Sequence, residues 1–326
     1  MICEWHDKIF DVTDSGFQTL ALETFHFQYQ NNPVYRSFVE TLKIRTSKVN
    51  VLEKIPFLPI SFFKSHEIKT GEFPAGLIFE SSGTTQAVKS RHFVKDEKIY
   101  SKSFKSNFET NYGSINDYCI IGLLPSYLER TTSSLVFMVN EFIRESSHSQ
   151  SGFYLYELES LKETILDLEK KNQKTLLIGV TFALLDFAEK FPMPLSNTII
   201  METGGMKGRR EEMTRKEVHE ILKNAFFKRE IHSEYGMTEL LSQAYSKEAG
   251  LFQCPSWMKV LLRDDEDPFN LKSTGTGAIN IIDLANIYSC SFIATDDVGK
   301  VYEDGSFEVL GRMDGSDLRG CSLLTL

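Results

Sequence analysis

Three times between residues 118 and 227 a short apolar run ends in small or glycine-rich residues and gives way to a stretch with helical spacing. The runs are 118–125, 174–180 and 198–208, and the stretches that follow are 133–144, 182–191 and 210–227; a further charged amphipathic helix is expected at 158–172. Such runs have the length of strands buried on both faces, and the periodic segments have the length of helices. Alternation of this kind needs crossovers that lay helices over a parallel sheet. The sequence therefore predicts an α/β protein with mainly parallel sheets covered by helices. Ligands bind such sheets at the carboxyl ends of their strands. Gly204 and Gly205 stand at one of those ends, where a Gly-Gly pair serves equally as an ordinary turn.

The first 75 residues read differently. Thr13, Asp14 and Ser15 offer N-cap groups before Phe17, Leu20, Ala21, Thr24 and Phe25 at helical spacing, and Asn31-Asn32-Pro33 ends that helix. Tyr35, Phe38, Val39 and Leu42 begin a second one. The segment 55–64, braced by Pro56 and Pro59, should pack in extended or irregular form; the functional alternative is a wall of an acyl pocket. Next, Leu77-Ile78-Phe79-Glu80 reads as a strand running into a loop, Ser81-Ser82-Gly83-Thr84-Thr85. Those hydroxyls, with a glycine that admits close backbone approach, suit phosphate binding, although a polar turn would look the same. Gly83 to Ser90 nearly spells a P-loop, but Val88 stands where its second glycine should be, and a β-branched residue fits that conformation poorly. His92, just downstream, is a structural histidine or one that positions a carboxylate or phosphate.

A net charge of −9 over 326 residues argues against binding along nucleic acid. The five cysteines are scattered without metal-like spacing, which points to reduced thiols and a cytoplasmic protein. Neither a signal peptide nor a membrane span is expected.

One further segment carries chemistry at every position. Tyr235-Gly236-Met237-Thr238-Glu239 offers an aromatic ring to stack on a purine, a glycine for close approach, a hydroxyl to donate to a phosphate and a hard oxygen ligand for Mg²⁺.

Taken together, the loops at 81–85, 203–205 and 235–239, with Ile293-Ala294-Thr295-Asp296-Asp297-Val298-Gly299 and Leu310-Gly311-Arg312-Met313-Asp314, resemble the AMP-forming adenylating enzymes. The segments 17–35, 56–64, 81–94, 202–208, 234–239 and 311–322 are more specifically similar to the acyl-protein synthetase (LuxE-type) branch. Gln86 departs from the pattern, because the family continues there with glycine. The resemblance implies the large N-terminal domain of the adenylate-forming fold. One domain over 1–326 is expected, comprising a helical part at 1–75, a nucleotide- and acyl-binding core at 76–312 and a short tail at 313–326. The superfamily's small C-terminal domain, with its catalytic lysine, is expected to be absent.

The implied chemistry is activation of a carboxylic acid, an acyl chain by family, with ATP and Mg²⁺, then transfer of the acyl group to a thiol. By resemblance, Ser81, Ser82, Gly83, Thr84 and Thr85 would hold the β- and γ-phosphates, Thr238 the α-phosphate and Glu239 the metal. Gly204, Gly205 and Tyr235 would frame adenine, with Gly236 beside them. Asp297 would bind the ribose, with Asp296 as its rival, and Arg312 would reach ribose or phosphate. The acceptor is Cys321, in the Arg319-Gly320-Cys321-Ser322 run, or an external thiol on CoA, an acyl carrier or an acyl-reductase partner. Two other readings are a non-catalytic subunit of a complex and an ATP-independent acyltransferase.

Overall fold

The computed structural model describes residues 2–81, 88–125, 132–205, 213–264 and 266–313. Within them the chain divides into two compact units, one made of 2–104, 237–243 and 253–313, the other of 105–236 and 244–252. The break at 104/105 falls within a single helix, Glu97–Tyr112.

Three helices open the first unit: Ile2–Phe10, Asp14–Asn31 and Pro33–Thr41. Asn32 explains the break between the last two. Its side chain accepts from the Tyr35 amide at 3.0 Å, capping a helix whose first residue is proline and needs no donor of its own. Phe17, Leu20, Ala21, Phe25 and Gln28 form the buried face of the long helix. Gln28 Nε2 donates to the carbonyls of Asn286 and Ile287, both at 3.0 Å, so the helix is tied to the 286–291 segment by hydrogen bonds as well as by apolar contact.

The sheet of this unit runs in the order Leu271–Lys272, Met258–Arg263, Gly275–Asp283, Phe292–Val301, Phe307–Arg312, and every neighbouring pair is antiparallel. Leu58–Pro59 adds a parallel pairing onto Ile293–Ala294. Phe57, Leu58, Ile60 and Phe63 are all buried, so the proline-braced segment is core packing. Tyr35, Phe57 and Phe25 surround Phe292 at ring separations of 6.0, 6.1 and 6.4 Å. Gly299 stands where the register between the last two strands shifts, and a Cβ there would meet the Glu308 carbonyl oxygen at 2.5 Å.

A separate hairpin pairs Leu77–Glu80 with Arg91–Val94 in antiparallel register, Phe79 opposite His92. Ser81 extends the ladder: its amide donates to the Ser90 carbonyl at 3.1 Å and its hydroxyl accepts from the Ser90 amide at 2.9 Å. Ser81 therefore ends a strand of this antiparallel pair, not a strand of a parallel sheet.

The second unit carries the parallel sheet. Cys119–Leu123, Thr175–Gly179, Thr198–Glu202 and His232–Tyr235 lie side by side in that order, all parallel. Gly152–Phe153 flanks the first in parallel and Ala244–Ser246 flanks the last in antiparallel sense. Helices Ser134–Ser146, Leu158–Lys170, Thr181–Lys190 and Arg215–Phe226 make the crossovers. Thr214 and Glu217 form a capping box that starts the last of these.

The α/β expectation holds, but among the described residues its parallel part, apart from the Leu58–Pro59 dipeptide, lies within 119–235. Between 258 and 312 the described connections carry no α-helix, only the 3₁₀ turn Leu284–Asn286, and strands so connected return antiparallel.

Candidate active site

In the first unit, His92, Thr238 and Glu239 come together. His92 is fully buried, and its Nδ1–H donates to the Thr238 carbonyl at 2.8 Å. Burial lowers its pKa to about 4, outweighing the bond to Thr238, the charge of Glu239 and the Asn286 side chain, all of which favour the cation. The ring is therefore neutral at pH 7. Instead of presenting a charge to a carboxylate or phosphate, it holds a peptide of the Tyr235–Glu239 motif.

Two residues with no motif of their own complete that hold. Asn286 Nδ2 donates to the Glu239 carbonyl at 2.8 Å. Asp283 accepts from the amides of Leu241 and Ser242 at 2.8 and 3.0 Å and from the Ser242 hydroxyl at 2.6 Å. Its carboxyl is pushed up to about 6 by burial, although the bonds from Ser242, Leu241 and Ala285 oppose this. Glu239 itself is buried, 1% exposed. Sequence reading missed Asp283 and Asn286; the available signal was the polar residues Asn280, Asp283, Asn286 and Ser289 interrupting the apolar run 278–290.

Asp296, Asp297 and Arg312 form a second cluster in the same unit. Pairing across the last two strands sets Asp297 opposite Arg312. The guanidinium reaches both candidate carboxylates, with one terminal nitrogen 3.1 Å from Asp296 and Nε 3.4 Å from Asp297. Asp297 is the more deeply buried, 7% exposed, and its amide donates to the Thr295 hydroxyl at 3.1 Å. Arg263 braces the strand from behind, donating to Asn280 Oδ1 at 2.7 Å and to the Thr295 carbonyl.

In the second unit, Gly204 and Gly205 follow the strand Thr198–Glu202 with φ of 78° and 100°, values that disfavour any side chain. Glu202 fixes this turn. Its carboxylate accepts from the Gly204 amide, the Thr181 hydroxyl and the Ser233 hydroxyl. Burial opposes its charge, but His219, Arg215 and Thr181 outweigh that and hold its pKa below the usual range. Tyr235 lies one strand over, at the end of His232–Tyr235, and Gly236 follows it. Glu234 precedes Tyr235; burial first, and the charge of Glu202 second, push its carboxyl up to about 8.

Ser81 is placed as described above, whereas Ser82, Gly83, Thr84, Thr85 and Cys321 lie outside the described residues. The thiols of Cys119, Cys254 and Cys290 are all raised by burial, the last two to about 12, so each is a poor nucleophile at pH 7. Among the described residues no helix is long and apolar enough to cross a membrane.

The sequence model of the acyl-protein synthetase family, LuxE, matches residues 10–325. The chain belongs to that family. No curated protein matches it by sequence. Among solved structures, an open conformation of 2-hydroxyisobutyryl-CoA ligase in complex with 2-HIB-AMP and CoA superposes with a TM-score of 0.65 at 11% identity, covering 93% of this chain and 70% of the ligase. ATP-bound MatB from Rhodopseudomonas palustris gives 0.55 at 16%, covering 72% of this chain and 47% of MatB. MenE, the O-succinylbenzoate coenzyme A synthetase from Bacillus subtilis, in complex with ATP and magnesium, gives 0.50 at 15%, covering 74% and 52%. This LuxE-family chain thus has the fold of those ligases and spans about half the length of several of them, MatB included.

Proposed function

We propose that this LuxE-family protein activates a carboxylic acid, an acyl chain by family, with ATP and then passes the acyl group to a thiol. In the first step a carboxylate oxygen attacks the α-phosphorus; the acyl–phosphate bond forms, the bond to the bridging oxygen breaks, and pyrophosphate leaves with the electron pair. In the second, a thiolate attacks the acyl carbon and AMP leaves, giving a thioester.

The observation that carries this reading is the Asp297–Arg312 pair. A buried carboxylate suits the two hydroxyls of a ribose, and the guanidinium held 3.4 Å away suits a phosphate. In support, Thr238 supplies a hydroxyl for the α-phosphate and Glu239 a carboxylate for a divalent cation. Among the described residues no three acidic, histidine or cysteine groups cluster as a metal cage. That donor set fits Mg²⁺, which is typically held by one or two carboxylates together with substrate phosphates. When bound, the ion would neutralise charge on the leaving pyrophosphate. Gly204, Gly205 and Tyr235 would frame adenine, and Ser81 to Thr85 the outer phosphates.

For the second step the acceptor is Cys321 or an external thiol on CoA, an acyl carrier or an acyl-reductase partner. Acid-dependent ATP–pyrophosphate exchange across a panel of fatty and aryl acids tests the first step, and hydroxylamine-labile labelling of wild type against Cys321→Ser tests the second. Absence of exchange with every acid, together with acyl transfer from a preformed thioester, would replace this reading with an ATP-independent acyltransferase.

A further inference from the structure

Three side chains distant in sequence grip consecutive peptides of one short turn. His92 takes the carbonyl of Thr238, Asn286 the carbonyl of Glu239, and Asp283 the amides of Leu241 and Ser242. Within the turn the Leu240 amide donates to the Met237 carbonyl at 3.1 Å. Asp283 and Asn286 are themselves placed by the 283–286 turn: Asp283 caps it through the Ala285 amide at 3.1 Å. Ser242 is held further by Trp257, whose indole N–H donates to its hydroxyl at 2.9 Å. A turn needing rigidity alone would be served by apolar packing, because each buried polar group must be fully partnered or it costs stability. Here the side-chain bonds converge on the backbone on both sides of the Glu239 side chain, fixing the direction in which its Cα–Cβ bond points.

We propose that Asn286, with Asp283 and His92, acts as a positioning residue that aims the Glu239 carboxylate at the divalent cation. This rests on the adenylation reading. It goes beyond that reading in assigning metal affinity to residues that touch neither metal nor nucleotide. A supporting group that fixes a ligand's orientation typically contributes 10–100-fold to metal affinity.

The test measures the Mg²⁺ concentration for half-maximal pyrophosphate exchange, kcat at saturating Mg²⁺, the melting temperature and amide hydrogen exchange over 238–242 without nucleotide. Asn286→Ala should raise the Mg²⁺ half-saturation about tenfold or more, change kcat at saturating Mg²⁺ much less, and accelerate amide exchange across the turn. Gln28→Leu is the control, since Gln28 bonds the main-chain carbonyls of Asn286 and Ile287 and both the hydroxyl and amide of Ser291, leaving the Asn286 side chain to the turn. It should lower the melting temperature while leaving the Mg²⁺ requirement unaltered. Should Asn286→Ala fail to fold, His92→Leu carries the same test, with His92→Gln recovering most of the loss because its amide can still donate to Thr238. A folded Asn286→Ala enzyme with an unshifted Mg²⁺ requirement overturns the inference and leaves adenylation standing, as does an equal shift in Gln28→Leu. A wild type that exchanges pyrophosphate with no acid overturns both.

Discussion

The two units hold their loops by opposite means. In the second, the turn at Gly204 and Gly205 is backbone conformation: positive φ at both glycines, with one buried carboxylate, Glu202, bonded to the strand end. In the first, the turn after Tyr235-Gly236 and the cluster of Asp296, Asp297 and Arg312 carry charged side chains, and side-chain bonds hold both in place. Under the proposed function, side chains around the glycine turn serve stability, whereas a single substitution among the charged groups removes activity and leaves the fold.

The strongest way to break this contrast is Glu202→Gln, which turns an acceptor facing Thr181, Ser233 and the Gly204 amide partly into a donor. Leaving a buried charged network half-paired costs about 3–5 kcal/mol, so we expect a large fall in the urea midpoint; an unchanged midpoint would refute the structural role. Next in size, Glu239→Gln should lower acid-dependent exchange on the order of 100-fold or more with little change in melting temperature. A comparable loss of stability there would erase the distinction between the units. Asp297→Ala should weaken ATP binding by about 1.5–3 kcal/mol per bond lost, measured by calorimetry, and Asp296→Ala by less. The reverse order would move the ribose contact to Asp296.

The smallest expected effect is a pH dependence. The carboxyl of Glu234 has a folded pKa of about 8, above its unfolded value, so the native state binds more protons than the unfolded chain between roughly pH 4.5 and 8. Stability from this group is full below that window and is lost as pH rises through it. Glu234→Gln should therefore unfold in urea with a free energy about 1 kcal/mol or more above wild type at pH 9, with the gap closing at pH 5. A constant gap would mean that Glu234 does not titrate in this range.

Three strands of the parallel sheet were legible because each is a continuous apolar run followed by a periodic helix, as at 174–191; His232–Tyr235, polar and followed by no helix, was not. The strands at 258–312 escaped because no periodic helix follows them to mark a crossover, even where the run is apolar, as at 278–290, and a hairpin partner such as Arg91–Val94 is recognised only once paired. The site divides likewise. Tyr235, Thr238 and Glu239 announce themselves as neighbours in sequence, and Asp296 and Asp297 sit beside one another. The residues that hold the Glu239 turn are dispersed: Asp283 meets Ser242 across 41 positions and His92 meets Thr238 across 146. Nothing in local spacing marks such pairs. Arg312 could be read as a ligand for ribose or phosphate, but its simultaneous grip on Asp296 and Asp297 follows only from strand register.

Leu58–Pro59 has a consequence for solubility. The strand Phe292–Val301 pairs with Phe307–Arg312 only from Asp297 onward, so near Ile293 and Ala294 that edge would otherwise offer free carbonyl and amide groups to another chain. The parallel dipeptide occupies it, and the Ile60 amide takes the Ala294 carbonyl at 2.9 Å. Proline, lacking an N–H, is a poor template for adding a further strand. Loosening the 55–60 segment would therefore uncover an adhesive apolar edge, and the first symptom would be aggregation on expression, before any change in catalysis.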